Sequence, residues 1–217
     1  MFKNHSLRMP PMSQPRIDEK LSKLRSLMQS VGADFYYVPS IDPHKNEYVP
    51  SCWQRRPWIS HFTGSAGDAL IALDHAYLWT DPRYFLQADV ELDPNFFKLM
   101  KQQKGTPAID QWLTEQKEGA VFAVDPNVIS IQQAEKLKAA VSFINGKLLS
   151  IKDNLIDQIW DDQPTPPEQP IRLQEIAFSG RSSQEKINEL RKTLTEQANA
   201  IILTRLDAIA WLFNIRG

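Results

Sequence analysis

Arg83 is the residue whose surroundings in the sequence most clearly suggest a binding role, and it follows Asp81 and Pro82. Asp is a favoured helix cap and proline is well tolerated at the first helical position, so the pair predicts that a helix begins here. Arg83 then lies beside backbone N–H groups that the first helical turn leaves unpaired. A guanidinium in that place suits carboxylate or carbonyl oxygens. Spacing alone leaves a binding role and a plain surface role equally open.

The histidines and the cysteine do not form a catalytic or metal-binding pattern. The four histidines are scattered, without the paired helical spacing of a zinc protease: His5, His44, His61 and His75. The only cysteine, Cys52, excludes an internal disulfide and a Cys-x-x-Cys pair. It has no evident activating base, so we interpret it as a plain thiol. We expect no catalytic residue and no metal ligand within this chain.

Two other clusters have ordinary structural interpretations. Gly64-Ser65-Ala66-Gly67 lacks the strand-before and helix-after context of a nucleophile elbow, so we predict a turn in which the glycines supply backbone freedom. The adjacent pair Arg55-Arg56 could bind an anion, but a solvated or ion-paired surface is the favoured interpretation.

Charge and hydropathy argue against several partners. The chain has 25 Lys and Arg against 26 Asp and Glu, a net charge of −1, which gives no electrostatic reason to expect nucleic acid or an anionic membrane. No apolar run follows Lys3 and Arg8 that would make a secretory signal or a membrane span. We expect a cytoplasmic protein without nucleic-acid or membrane partners.

Periodicity predicts an α/β protein in which helices alternate with strands. The predicted elements are a helix from Ile17 that stops at Gly32, a strand over 35–38, a hairpin of 66–73 and 76–80, a helix from Asp81 that carries Phe85 and Leu86 inward, a strand over 96–100, a helix from Thr106-Pro107 through Leu113, a strand over 120–124, a helix opened by the capping pair Ser130 and Gln133, a strand over 148–151, and a helix through Leu155, Ile156 and Ile159.

A proline-rich stretch divides the chain. Residues 162–170 hold four prolines, which favours an extended linker over helix or interior strand. We therefore predict a flexible tail over 1–15, a first domain over 16–161, the linker over 162–170, and the truncated start of a second, similar domain over 171–217. In the last part we predict a helix through Ile187, Leu190 and Leu194, a strand over 200–204, and a helix capped by Asp207. The closing apolar run leads us to expect that the natural protein continues past Gly217.

Several motifs in register resemble one family. They are Asn46 to Pro50, Arg55-Arg56, Phe62 to Gly67, Leu78 to Ala88, Val124 to Pro126, Asn154 to Trp160 and Leu206 to Gly217. Together they resemble the N-terminal part of cytosolic-type aminopeptidase P, the Xaa-Pro aminopeptidases, and the match spans roughly residues 21–217.

The resemblance implies a three-domain hydrolase that removes the residue ahead of a proline at the second position of a peptide. Its first domain would be a three-layer mixed sheet with helices on both faces, the creatinase/prolidase N-terminal fold with its ribonuclease H-like motif. Two divalent metals, usually manganese, and their ligands would lie in a C-terminal domain outside this chain, so this part alone would be inactive.

The resemblance also implies roles for particular residues. Arg83 would contact the bound peptide, although Pro82 departs from the glycine found in animal members. Family members are commonly homodimers. Trp53 and Trp58 could belong to a dimer surface, with core packing expected for at least one of them.

Two other functions fit the same family fold. One is a non-catalytic peptide-binding module of a peptidase-like chaperone. The other is a prolidase or creatinase relative, whose N-terminal domain lacks this set of motifs.

Overall fold

A computed structural model describes residues 16–194 and 198–217, so the predicted tail over 1–15 lies outside the described residues. The helices are α1 (Ile17–Ser30), α2 (Arg55–Ser60), α3 (Phe85–Glu91), α4 (Ile109–Leu113), α5 (Ile131–Phe143), α6 (Ile176–Ser179), α7 (Ser183–Thr193) and α8 (Leu206–Phe213). The strands are β1 (Phe35–Val38), β2 (Asp68–Ala72), β3 (Ala76–Thr80), β4 (Phe97–Lys101), β5 (Val121–Val124), β6 (Lys147–Ser150), β7 (Arg172–Leu173) and β8 (Ile215–Arg216). None of the helices in these ranges is long and apolar enough to cross a membrane.

The first six strands form one mixed sheet in the order β4-β3-β2-β1-β5-β6. Only β2 runs against its neighbours: it is antiparallel to β1 and β3, whereas the β1–β5, β3–β4 and β5–β6 pairs are parallel. The carboxyl ends of five strands therefore meet at one edge, where β2 also begins. Open α/β sheets usually bind ligands outside the carboxyl ends of their strands.

Alternate residues of each strand face two separate hydrophobic layers. In β1, Tyr36 and Val38 join the layer covered by α1, α2 and α3, while Phe35 and Tyr37 join the layer covered by α4 and α5. Segment 155–160 also packs into the first layer. These two layers confirm the predicted three-layer α/β fold with helices on both faces of a mixed sheet.

The helix after Asp81 begins as predicted but presents a different face. The Asp81 side chain accepts from the backbone N–H of Arg83, and a 3-10 turn over Pro82–Tyr84 precedes α3. The prediction that Leu86 points inward is wrong, because its side chain is 83% exposed. Ala88 and Leu92 are the buried residues, and a helix that buries these positions turns Leu86 toward solvent.

Local polar contacts overturn the helix that was predicted through Leu155. Residues 151–160 form turns, although Leu155 and Ile156 are buried as expected. The backbone N–H of Leu155 donates to the hydroxyl of Tyr36, and that of Ile156 donates to the side-chain oxygen of Asn154. These two donors are satisfied without a helix.

Two predicted helix starts also need correction. In α4 the N-cap position is Ala108 rather than Thr106, and the Gln111 side chain accepts from the Ala108 N–H. Before α5, Ser130 caps the Gln133 N–H as predicted, but the Gln133 side chain donates to Tyr37 instead of returning to the cap.

The last part of the chain is smaller and more open. Strands β7 and β8 form an antiparallel pair, and α7 begins with a reciprocal capping box of Ser182 and Glu185. The prediction of a strand over 200–204 is wrong, because these residues have no regular structure. The sheet in this part contains only β7 and β8, so residues 200–204 have no strand partner in it. The N-cap position of α8 is Arg205, and Asp207 lies in the first turn rather than at the cap.

Candidate functional site

A pocket of about 240 Å³ opens where β1 ends, at the carboxyl edge of the sheet. Its walls come from four stretches of chain: residues 39–40 after β1, the loop residues 47–49, residues 53–57 around the start of α2, and the turn 63–65 before β2. The pocket thus lies between the end of β1 and the turn that leads into β2.

A single buried carboxylate fixes the loop that forms the outer wall. The Asp42 side chain is fully buried and accepts from the backbone N–H groups of His44 and Asn46 at 2.9 and 3.1 Å. It also accepts from the Asn46 side-chain amide at 2.8 Å. This turn carries Tyr48 to the rim of the pocket, where the tyrosine is 86% exposed.

Arg56 forms the inner wall and is a structural residue rather than a solvated one. It is 3% exposed, and its guanidinium donates to the Ser40 hydroxyl at 2.9 Å, to the Phe62 carbonyl at 2.6 Å and to the Gly64 carbonyl. Burial lowers the pKa of Arg56 to about 10, so the group stays charged at neutral pH. The predicted surface role is wrong for Arg56, because its side chain is buried and its three acceptors lie outside α2.

A second layer of hydrogen bonds supports this wall from behind. The Tyr37 hydroxyl donates to Asp68 at 2.9 Å and accepts from the Gln133 amide at 2.6 Å. The Ser40 N–H donates to the other Asp68 oxygen at 3.2 Å. Burial raises the pKa of Asp68 and holds the pKa of Tyr37 well above its usual range.

Arg55 is ion-paired, as the sequence suggested, but it is buried. Its guanidinium forms a bidentate pair with Asp157, at 2.6 and 2.7 Å. Asp157 also accepts from the Gln163 amide at 2.9 Å. Asp157 lies 102 residues after Arg55, so the pair holds the end of the predicted first domain against α2.

The turn predicted at Gly64 to Gly67 is confirmed. The Ser65 hydroxyl lies 2.6 Å from the Tyr84 hydroxyl, and no histidine contacts it among the described residues. Gly64 is required by close packing: a Cβ there would lie 2.4 Å from the Phe62 ring and 2.7 Å from the Tyr84 ring. Ser65 therefore lines the pocket and pairs with Tyr84.

Arg83 lies at the same edge, beside the pocket. Its guanidinium donates to the two Asp81 carboxylate oxygens at 3.0 and 2.7 Å, and it lies 5.2 Å from the centre of the Tyr84 ring. The hydrogen bond from Arg83 lowers the pKa of Asp81. The guanidinium remains exposed, with 70% of the side chain accessible. Tyr84 connects it to Ser65 and so to the pocket wall.

The remaining candidates have structural places. Trp58 stacks on Trp160 with ring centres 5.3 Å apart, which confirms core packing for one of the two tryptophans proposed for a dimer surface. Trp53 lines the pocket and lies 5.8 Å from the His44 ring. Cys52 is buried.

Within 16–194 and 198–217, no three His, Cys, Asp or Glu side chains are grouped to hold a metal ion. The pocket and the exposed Arg83 guanidinium lie beside one another at the same edge of the sheet.

Comparisons with known proteins agree on one family. Residues 20–159 and 162–217 match two sequence families that share the description creatinase/prolidase N-terminal domain. Relatives named "Probable Xaa-Pro aminopeptidase P" are 42% identical in Coccidioides posadasii, over 92% of this chain and 33% of that protein, and 44% identical in Aspergillus oryzae, over 95% and 32%.

A solved structure supports the same assignment. The X-prolyl aminopeptidase from Caenorhabditis elegans, described as a cytosolic enzyme with a di-nuclear active site, superposes with a TM-score of 0.86 at 33% identity, over 93% of this chain and 35% of that one. The chain thus spans about a third of the length of the relatives that it matches. Because the first family match alone covers more than half of its residues, the chain belongs to the creatinase/prolidase N-terminal domain family.

Proposed function

We propose that this chain is the N-terminal, non-catalytic portion of a metal-dependent Xaa-Pro aminopeptidase, which removes the first residue of a peptide whose second residue is proline. The observation that carries the proposal is the continuous similarity along nearly the whole chain to proteins named for that activity, with a superposable fold. The chain would build one wall of the substrate cleft.

The metals of such an enzyme would be held outside this chain. The described residues do not fit a dinuclear centre, because no group of three ligating side chains is present among them. The proposal therefore assigns two divalent ions, with manganese as the expected metal, to a part of the protein beyond these residues. A homodimer and a cytoplasmic location complete the proposal, by similarity to the family.

The domain organisation is part of the same proposal. Residues 16–161 would form the first domain, 162–170 the linker, and 171–217 the start of a second, similar domain. The ion pair of buried Arg55 with half-buried Asp157 supports the first boundary, because it holds the chain just before the linker begins.

Arg83 would serve as a substrate-binding residue. The bond ahead of proline is a tertiary amide without an N–H, so an enzyme must recognise the ring, the free amino group and the carbonyl oxygens. An exposed guanidinium whose orientation is held by Asp81 and Tyr84 can donate to a peptide carbonyl or carboxylate. Because the Asp81 pair is exposed, it adds little to folding and leaves Arg83 available.

The test is steady-state kinetics of the protein extended beyond Gly217. We expect Arg83→Ala to lower kcat/KM for Xaa-Pro peptides by about tenfold or more, the loss of one charged hydrogen bond. Arg16→Ala is the matched control, because Arg16 is also exposed and pairs with an aspartate two residues away at a helix start. Equal kinetics of the two variants would remove Arg83 from the site, and absence of Xaa-Pro cleavage by the unaltered extended protein would overturn the assigned activity.

A further inference from the structure

We propose that the pocket between Tyr48 and Trp53 holds one apolar side chain of the bound peptide. This inference rests on the proposed function, since the occupant is a side chain of the same peptide that Arg83 would hold. It adds a specificity site to a chain for which only the Arg83 contact has been suggested.

The lining of the pocket selects the chemical class of the occupant. Apolar atoms make up the larger part of the pocket surface, and five of the twelve lining residues are apolar or aromatic: Pro39, Tyr48, Val49, Trp53 and Pro57. Each guanidinium nitrogen of Arg56 already donates to a protein oxygen, so this group is held within the wall and does not extend toward a ligand. Glu47 lines the wall as well and disfavours an acidic occupant. An apolar group fits this environment best.

The size of the pocket limits how much of a ligand can enter. Its volume of about 240 Å³ is smaller than the roughly 300–1,000 Å³ of sites that enclose a whole small molecule. A single large side chain matches this space, while the rest of the ligand stays outside. A peptide lying across the rim satisfies both conditions.

The loop at the rim of the pocket is held in place by its own hydrogen bonds, without a ligand. Tyr48 is 86% exposed, although it follows a loop that a buried carboxylate holds in place. Covering this ring would remove apolar surface from water at a small cost in conformational entropy, because the Asp42 hydrogen bonds have already fixed the loop backbone.

The pocket lies next to Arg83, and this proximity favours an occupant that belongs to the same peptide. Ser65 lines the pocket, and its hydroxyl lies 2.6 Å from that of Tyr84. The Tyr84 ring in turn lies beside the Arg83 guanidinium, 5.2 Å away. A peptide whose carbonyl accepts from Arg83 can therefore cross the Ser65–Tyr84 pair and place a nearby side chain in the pocket.

The direct test is an NMR titration of this chain with short proline-containing peptides. A leucine is moved through an otherwise glycine-and-proline sequence and then replaced by aspartate at the best position. We expect shifts at Tyr48 and Trp53, and tighter binding of the leucine peptide than of its glycine or aspartate analogues. Tyr48→Ala should weaken the leucine peptide about three- to tenfold. Phe143→Ala replaces another highly exposed aromatic residue, on α5; it is the control and should leave binding unchanged.

The outcomes separate this inference from the proposed function. Equal binding of the leucine and glycine peptides, no binding at millimolar peptide, or equal effects of Tyr48→Ala and Phe143→Ala would overturn the pocket assignment. An extended protein that cleaves Xaa-Pro peptides with a KM unchanged by Tyr48→Ala would also overturn it, yet would leave the activity intact. If the pocket binds leucine peptides selectively but the extended protein does not cleave Xaa-Pro peptides, the pocket assignment stands and the proposed activity is overturned.

Discussion

Replacing Arg56 by methionine tests whether one buried guanidinium holds the pocket together. Methionine keeps an unbranched apolar stem against the Phe62 ring, which lies 4.7 Å from the guanidinium carbon, but it removes all three donors. The acceptors that lose their partner are the Ser40 hydroxyl and the carbonyls of Phe62 and Gly64. The local turn 62–65 depends on these contacts, so the substitution acts on both stability and pocket shape.

The expected magnitude follows from these contacts. Hydrogen bonds to a charged group contribute about 1.5–3 kcal/mol each, which gives a gross loss of roughly 4.5–9 kcal/mol for three. Part of this is recovered, because the variant no longer carries the cost of burying a cation. We expect a net loss of about 3 kcal/mol in the free energy of unfolding.

Urea denaturation followed by tryptophan fluorescence measures this loss, with Arg83→Met as the matched control. Arg83 is exposed and its contacts are local, so the control should unfold at the same urea concentration as the unaltered chain. A loss below about 1 kcal/mol for Arg56→Met would show that the guanidinium does not organise the turn, because an average point substitution reaches that size without such a role.

Three further predictions concern the scaffold. Gly67→Ala should destabilise the chain by about 1–3 kcal/mol in the same assay, since a Cβ there would lie 2.8 Å from a backbone carbonyl of β3, which cannot move aside cheaply. Leu70→Ala in the core should cost about 2–5 kcal/mol, whereas Leu86→Ala on the exposed face of α3 should stay within about 0.5 kcal/mol, and equal losses would contradict the observed helix orientation. Partial burial and a neighbouring lysine lower the pKa of His61, so the unfolded chain takes up a proton more readily and stability should fall as pH drops from about 7 through the unfolded pKa of about 6.5. His61→Asn should flatten that dependence in urea titrations at pH 7.5 and 5.5, and an equally steep dependence in the variant would contradict the role of His61.

Segments with clear periodicity were predictable because their structure depends on neighbours in the sequence. The apolar steps of α1 and the Asp-Pro start before α3 are of this kind, and both are found where the sequence indicates them. The segment around Leu155 has a similar apolar spacing but forms turns. Its N–H groups find partners in Tyr36 and Asn154, and one of these lies on a strand far away in the chain.

The candidate site was harder to predict because its contacts join residues that are far apart in the sequence. The two arginines at the start of α2 look alike in the sequence, yet Arg55 meets a carboxylate 102 residues later and Arg56 meets carbonyls of the following turn. The pocket itself combines four separate stretches of chain, so no local pattern could locate it. A helical step from Arg56 to the buried Ile59 was the one available sign that this arginine faces inward.

The central claim is that this chain shapes a substrate site while the hydrolytic machinery lies elsewhere in the protein. The most direct measurement is the hydrolysis of Xaa-Pro peptides by the purified 217-residue chain in the presence of manganese, assayed beside the extended protein under the same conditions. We expect no turnover by the chain and metal-dependent turnover by the extended protein. Cleavage of the peptides by the chain alone would contradict this division of roles.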